Sequence, residues 1–202
     1  MKFLSIFLFA VFASSTQAAT EVQAPFGFAW NQTESDLRRR GFEMACSTLK
    51  DVPVESCKVS TSPKKFSKAD FFQILFVPGE GLQKVAMYGK DITDDPYGSS
   101  GKEQYSALKA SLTKKYGAPK TYEWGATELY KDSDEFYECL AYQTCGSQSA
   151  YWTEEVTGTI ALSINGVSRG KGYLSLKYES ARWADLLDKM RSEMSAGDDD
   201  SL

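Results

Sequence analysis

"VTGTIALSINGVSRGKGYLSLKYE", residues 156–179, decides the fold. Val156, Ile160, Leu162 and Ile164 recur at even spacing, and Leu174, Leu176 and Tyr178 repeat the pattern after a break. A period of two sends alternate side chains to opposite faces. Strict alternation therefore predicts antiparallel strands with one face on a core and the other on water or a partner. The glycine-rich break, "NGVSRGKGY" (165–173), lies between two such strands and reads as a hairpin loop, not a phosphate cradle.

The same period extends upstream. Tyr122, Trp124, Ala126 and Tyr130 alternate from residue 121 onward. Earlier, "DFFQILFV" (70–77) sets Phe72, Ile74 and Phe76 against Phe71, Leu75 and Val77, a strand expected to be buried on both faces. Pro78-Gly79 turns the chain and "GLQKVAMYGK" returns. "FEMACSTL" and "ESCKVST" read as a hairpin around Asp51-Val52-Pro53.

Three helices are predicted before, between and after these strands. Thr33 and Asp36 form a capping box ahead of a short helix, with Leu37 inward and Gly41 at its end. Tyr105, Leu108, Leu112 and Tyr116 share one helical face, stopped by Gly117 and Pro119. "SARWADLLDKMRSEM" (180–194) is a last helix, N-capped by Ser180, burying Trp183, Leu187, Met190 and Met194. The order helix, strands, helix, strands, helix implies an α+β fold, an antiparallel sheet or sheets with helices packed on one face.

The first residues, "MKFLSIFLFAVFASSTQAAT", combine Lys2, an apolar run from Phe3 to Phe12, and small residues up to Ala18 and Ala19. That is the pattern of a secretory leader over 1–18. The run is shorter than the roughly 20 apolar residues a spanning helix needs, and no later stretch approaches that length, so no transmembrane segment is expected. A single α+β domain over 19–195 follows, whose element order divides into two similar halves, about 25–117 and 118–195, without a residue-level repeat. The stretch 196–202 is small and acidic and is expected to be disordered.

Export bears on the cysteines. The chain has four, and outside the cytosol disulfides form and persist. Cys46 with Cys57 and Cys139 with Cys145 each flank a turn, and this pairing is expected. There is no C-x-x-C pair and no histidine, so zinc and thioredoxin-type redox roles are disfavoured and no metal or cofactor is expected. A net charge of −4, more negative by one once Lys2 leaves with the leader, gives no basic surface for nucleic acid.

Two segments carry a resemblance. "FGFAWNQTESDL" and the Y-x-x-L-x-x-x-L-x-x-K-Y-G-x-P run from Tyr105 to Pro119 resemble segments of uncharacterised secreted and periplasmic Gram-negative proteins that open F-G-x-x-W-G-x-T. The opening is distantly similar to small lipoproteins of outer-membrane assembly. This chain has Asn31 where that pattern has Gly, and no cysteine near the leader to carry a lipid. The resemblance implies a bacterial envelope location and brings no catalytic residues.

Lack of histidine removes Ser-His and Cys-His pairs and histidine general bases. S-x-x-K occurs six times, too often to select a Ser-Lys centre, and its S-D-N and K-T-G companions are absent. Asp91, Asp94 and Asp95 lack the regular ligand spacing of a calcium loop. Glu128, Glu138, Glu154 and Glu155 lie among strands and aromatics. They would serve a glycosidase only if two of them faced each other across a cleft. The chain is therefore read as non-enzymatic.

The positive signal is aromatic. Tyr122, Trp124, Tyr130, Tyr142, Tyr151 and Trp152 crowd one region, joined by Phe136 and Tyr137. Tyr and Trp supply large contact area with a polar tip at low entropic cost, which is why they anchor interfaces. The same residues also serve as core filling and cross-strand pairs. The sequence thus points to a protein-binding module of the periplasm, with Trp124 and Trp152 as anchors. A domain stacking carbohydrate or cell-wall fragments on the same aromatics is the alternative.

Overall fold

The computed structural model describes residues 22–125, 129–154 and 158–199. The leader, Ala126, Glu128, Glu155, Val156 and residues 200–202 lie outside them.

Eight strands form one antiparallel sheet. They are β1 (Ala45–Thr48), β2 (Glu55–Val59), β3 (Ala69–Val77), β4 (Gly81–Gly89), β5 (Lys120–Trp124), β6 (Ser147–Glu154), β7 (Gly158–Ser168) and β8 (Lys171–Glu179). Their order is β1-β2-β3-β4-β8-β7-β6-β5. Each half is a four-stranded meander, and the two last strands, β4 and β8, pair antiparallel at the middle with Val85 opposite Tyr178 and Met87 opposite Leu176. A helix precedes each meander: α1 (Glu34–Arg39) the first and α2 (Ser99–Tyr116) the second. Each meander also carries a disulfide, one joining two strands and one within the β5–β6 connection. Cys46–Cys57 joins directly opposed residues of β1 and β2. Cys139–Cys145 ties a short helix, α3 (Phe136–Ala141), to the start of β6. The pairing read from spacing is the pairing observed. The second bridge staples a helix rather than a turn between strands.

Alternation divides the sheet into two unlike faces. Phe72, Ile74, Leu82, Val85, Met87, Ile160, Leu162, Leu176 and Tyr178 point to one face and form the main core with Leu37, Tyr105 and Tyr137 from α1, α2 and α3. The last helix, α4 (Trp183–Asp199), lies on the other face. There Trp183 and Met190 pack on Leu75, Val77, Val52 and Val54. The helices therefore pack on the sheet but are shared between its faces, because β3 is apolar on both sides only in its second half. Phe71, in its first half, is only half-buried.

Local reasons for the elements are visible. Thr33 and Asp36 make the capping box of α1. The residue before α2 is Gly98, which gives no side-chain cap. Asp95 replaces it: its carboxylate accepts the Gly101 N–H at 3.0 Å and the Tyr137 hydroxyl at 2.9 Å. α3 can lie close on the sheet because Gly166 and Gly172 have no side chain there. A Cβ on Gly166 would meet the Tyr137 carbonyl oxygen at 1.9 Å, and one on Gly172 the Tyr137 ring at 2.3 Å.

At α4 two expectations are corrected. Ser180 does not cap the helix with its side chain. Its hydroxyl donates to Gln83, a fully buried side chain that also donates to Asn31 and to the Glu80 carbonyl, both at 2.8 Å. Met194 is 45 % exposed, because α4 has passed the edge of its apolar patch by that turn. α4 runs to Asp199, within the stretch 196–202 expected to be disordered. No helix among the described residues is long and apolar enough to cross a membrane.

Candidate functional site

Beyond α4, the second face of the sheet is polar at its centre, where Ser175 and Ser149 are buried, and aromatic towards its edges. The register writes its composition. One row runs Phe71, Tyr88, Ser175, Ser163, Ser149, Tyr122 across β3, β4, β8, β7, β6 and β5. Aromatics stand at both ends and serines form the floor between. From β4 to β5 is four strand spacings, roughly 19 Å. Phe71 and Tyr88 stack with centroids 4.7 Å apart, and Lys58 Nζ sits 4.0 Å from the Phe71 centroid. The serines bond to one another: Ser149 to Ser163 at 3.0 Å and Ser147 to Ser149 at 3.3 Å, while Asn165 donates to Ser175 at 2.9 Å. Burial, and then the neighbouring Tyr173, raises the Tyr88 hydroxyl above its ordinary value of 10.0, and that hydroxyl donates to Gln73.

The opposite end is the β5 edge. Every residue of β5 is exposed. Tyr122 and Trp124 project onto the open face with Tyr151 of β6, and the Tyr122 and Tyr151 rings meet edge-on at 5.6 Å. Tyr122 is 41 % and Trp124 50 % exposed. The alternate residue Glu123 points the other way and ties β5 to α2. It accepts from the Tyr105 hydroxyl at 2.9 Å and pairs with Lys109 at 2.5 Å. Burial pushes the Glu123 carboxyl up, but Lys109 and Tyr105 outweigh it and hold it below the ordinary value of 4.5. The edge strand is thus held from beneath while its aromatics stay outward.

A groove of about 1230 Å³ opens beside them. Its lining includes Tyr122, Trp124, Tyr151, Trp152, Ile160 and Tyr116. The charged residues lining it, among those described, are Lys115 and Lys120. Each ammonium lies near a ring of the groove, Lys115 4.7 Å from the Tyr116 centroid and Lys120 5.2 Å from that of Tyr122.

The six aromatics expected to form one surface are not brought together. Tyr122, Trp124 and Tyr151 form it. Trp152 is 6 % exposed and belongs to the core, its indole N–H donating to the Gly117 carbonyl at 2.9 Å. Its even position on β6 turns it to the helix-covered face, so it does not stand beside Trp124 as a second anchor. Tyr130 and Tyr142 meet each other edge-on at 5.9 Å in the segment that carries α3, with Tyr142 53 % exposed. Tyr137 is fully buried beneath that segment. The missed members of the open face are Phe71, Tyr88 and Tyr173. Alternation signals them once the helix-covered face is assigned to the even residues of β3 and β8.

The other chemical candidates disperse. Asp91 pairs with Lys171 at 2.8 Å, and Asp95 is held at the start of α2. Asp94 stands at φ +57°. Cys46, Glu55 and Cys57 lie close enough to share an ion, but both sulfurs are in the disulfide. Glu138 is half-buried, with one carboxylate oxygen lacking a hydrogen-bond partner. The Glu154 side chain lies outside the description.

Comparison with family models, with curated proteins and with solved structures finds no match for this chain.

Proposed function

We propose that this chain is an exported, non-enzymatic protein-binding module of the bacterial periplasm, of the inhibitor or immunity type. It binds through the open face of its sheet at the β5–β6 end. Trp124 and Tyr122 are the anchors, Tyr151 supports them, and the bound domain acts by occluding its partner. One observation carries the reading: two large aromatics stand half-exposed on an edge strand that is clamped from below. Rigid aromatics with outward faces are what interface centres are made of, because little side-chain entropy is lost on docking. The two disulfides accord with export.

The test is capture from envelope extract on the immobilised mature, oxidised protein. One protein retained near equal stoichiometry, and lost with Trp124→Ala/Tyr122→Ala while the bait stays folded, supports the reading. Retention unchanged by that variant overturns it. A second reading rests on the exposed rings of Tyr122 and Trp124 beside the groove: a saccharide stacks on them. Tryptophan fluorescence that shifts with cell-wall glycans, and no longer does in Trp124→Ala, would favour it.

A further inference from the structure

We propose that the chain forms a homodimer by antiparallel pairing of β5 with β5 of a second copy, about a two-fold axis through Tyr122. The sequence of this edge is complementary to itself. Pairing centred on Tyr122 sets Tyr122 opposite Tyr122, Lys120 opposite Trp124, and Thr121 opposite Glu123. On the open face the row becomes Lys120 against Trp124, Tyr122 against its copy, and Trp124 against Lys120. A cation facing an indole and an aromatic facing an aromatic are both favourable cross-strand pairs, and no like charges face each other. On the other face Thr121 meets Glu123, whose carboxylate is already neutralised by Lys109 of its own chain.

The edge itself invites a partner. An edge strand presents a row of unpaired backbone donors and acceptors, and proteins that remain monomeric blunt such edges with charge, proline, bulges or a cover. β5 lies at the sheet edge and all five of its residues are exposed. In the proposed register its two charges, Lys120 and Glu123, face an indole and a hydroxyl and not a like charge. The opposite edge differs. β1 is Ala45-Cys46-Ser47-Thr48, which offers neither a charge nor an aromatic to a copy, and Arg38 lies across its start with a guanidinium nitrogen 3.4 Å from the Met44 carbonyl. Pairing through β5 would join two eight-stranded sheets into one and place both open faces side by side. The inference goes beyond the proposed function and does not depend on it.

The test uses register-specific cross-linking. Among the described residues both pairs of cysteines are bridged and none is free, so one added cysteine reports alone. In Tyr122→Cys the new residue lies opposite itself, as Cys46 lies opposite Cys57, and mild oxidation should give a covalent dimer. Tyr142→Cys is more exposed but lies off the axis, and should stay monomeric. Sedimentation equilibrium of the unmodified protein should show monomer–dimer exchange, weakened about tenfold or more in Tyr122→Pro. A protein that sediments as a monomer throughout, or equal cross-linking of Tyr142→Cys, overturns the proposal. Capture of another protein on the open face would leave it standing.

Discussion

Asp95 shows how one side chain settles two elements. It closes the start of α2 in place of Gly98 and accepts from Tyr137, which seats α3 on the sheet. Burial pushes its carboxyl up, but the Gly101 N–H, the Tyr137 hydroxyl and the Ser100 and Ser99 N–H groups prevail and hold it below its ordinary 3.8. A depressed carboxyl stabilises above its unfolded pKa and ceases to do so as pH falls through its folded value. The wild type should therefore lose more stability than Asp95→Asn does as pH falls below the ordinary carboxyl value and through the lower folded one. At neutral pH Asp95→Asn should be the weaker protein by about 2 kcal/mol in urea denaturation. Asn31 makes a second point at this scale. It stands where the resembled opening has Gly, and its φ is +64°. Asn and Gly are the residues that adopt this left-handed conformation most readily. The two tryptophans of the aromatic stretch behave oppositely. Trp152→Ala opens a buried site and should cost about 3–5 kcal/mol. Trp124→Ala should change stability by no more than about 0.5 kcal/mol, because its ring is half in solvent. Denaturant titration of both variants separates a core residue from an interface residue.

Among the elements, α3 was not legible beforehand. Residues 136–141 are aromatic-rich and lie between two alternating strands, so local pattern reads them as strand or turn. The helix depends on distant partners: the disulfide at Cys145, the gap left by Gly166 and Gly172, and the Asp95 carboxylate that takes the Tyr137 hydroxyl. Gly166→Ala should displace α3 from β7 and cost about 1–3 kcal/mol in thermal or urea unfolding, as overpacking does. Replacing Cys139 and Cys145 by serine should cost about 2 kcal/mol by the loop-closure argument for a short loop. β1, β2 and α1 were legible, because a capping box and a cysteine flanking each side of a Pro-containing turn are local signals.

For the whole molecule the decisive contact is β4 with β8. It turns two meanders into one sheet, and Val85 and Tyr178 at the seam are both buried in the shared core. Far-UV circular dichroism and tryptophan fluorescence should therefore report one coincident unfolding transition. Val85→Ala should lower both together by about 1–3 kcal/mol. By itself the sequence determined the α+β class, the antiparallel pairing and the disulfide partners, because alternation, capping and short loop closure are all set within a few residues. Only the tertiary structure decided that α4 crosses to the opposite face, that Trp152 is core while Trp124 is surface, and that serines from three strands make one floor. Those facts depend on which side of each strand a distant helix covers. An alternating pattern marks two faces without saying which one meets water.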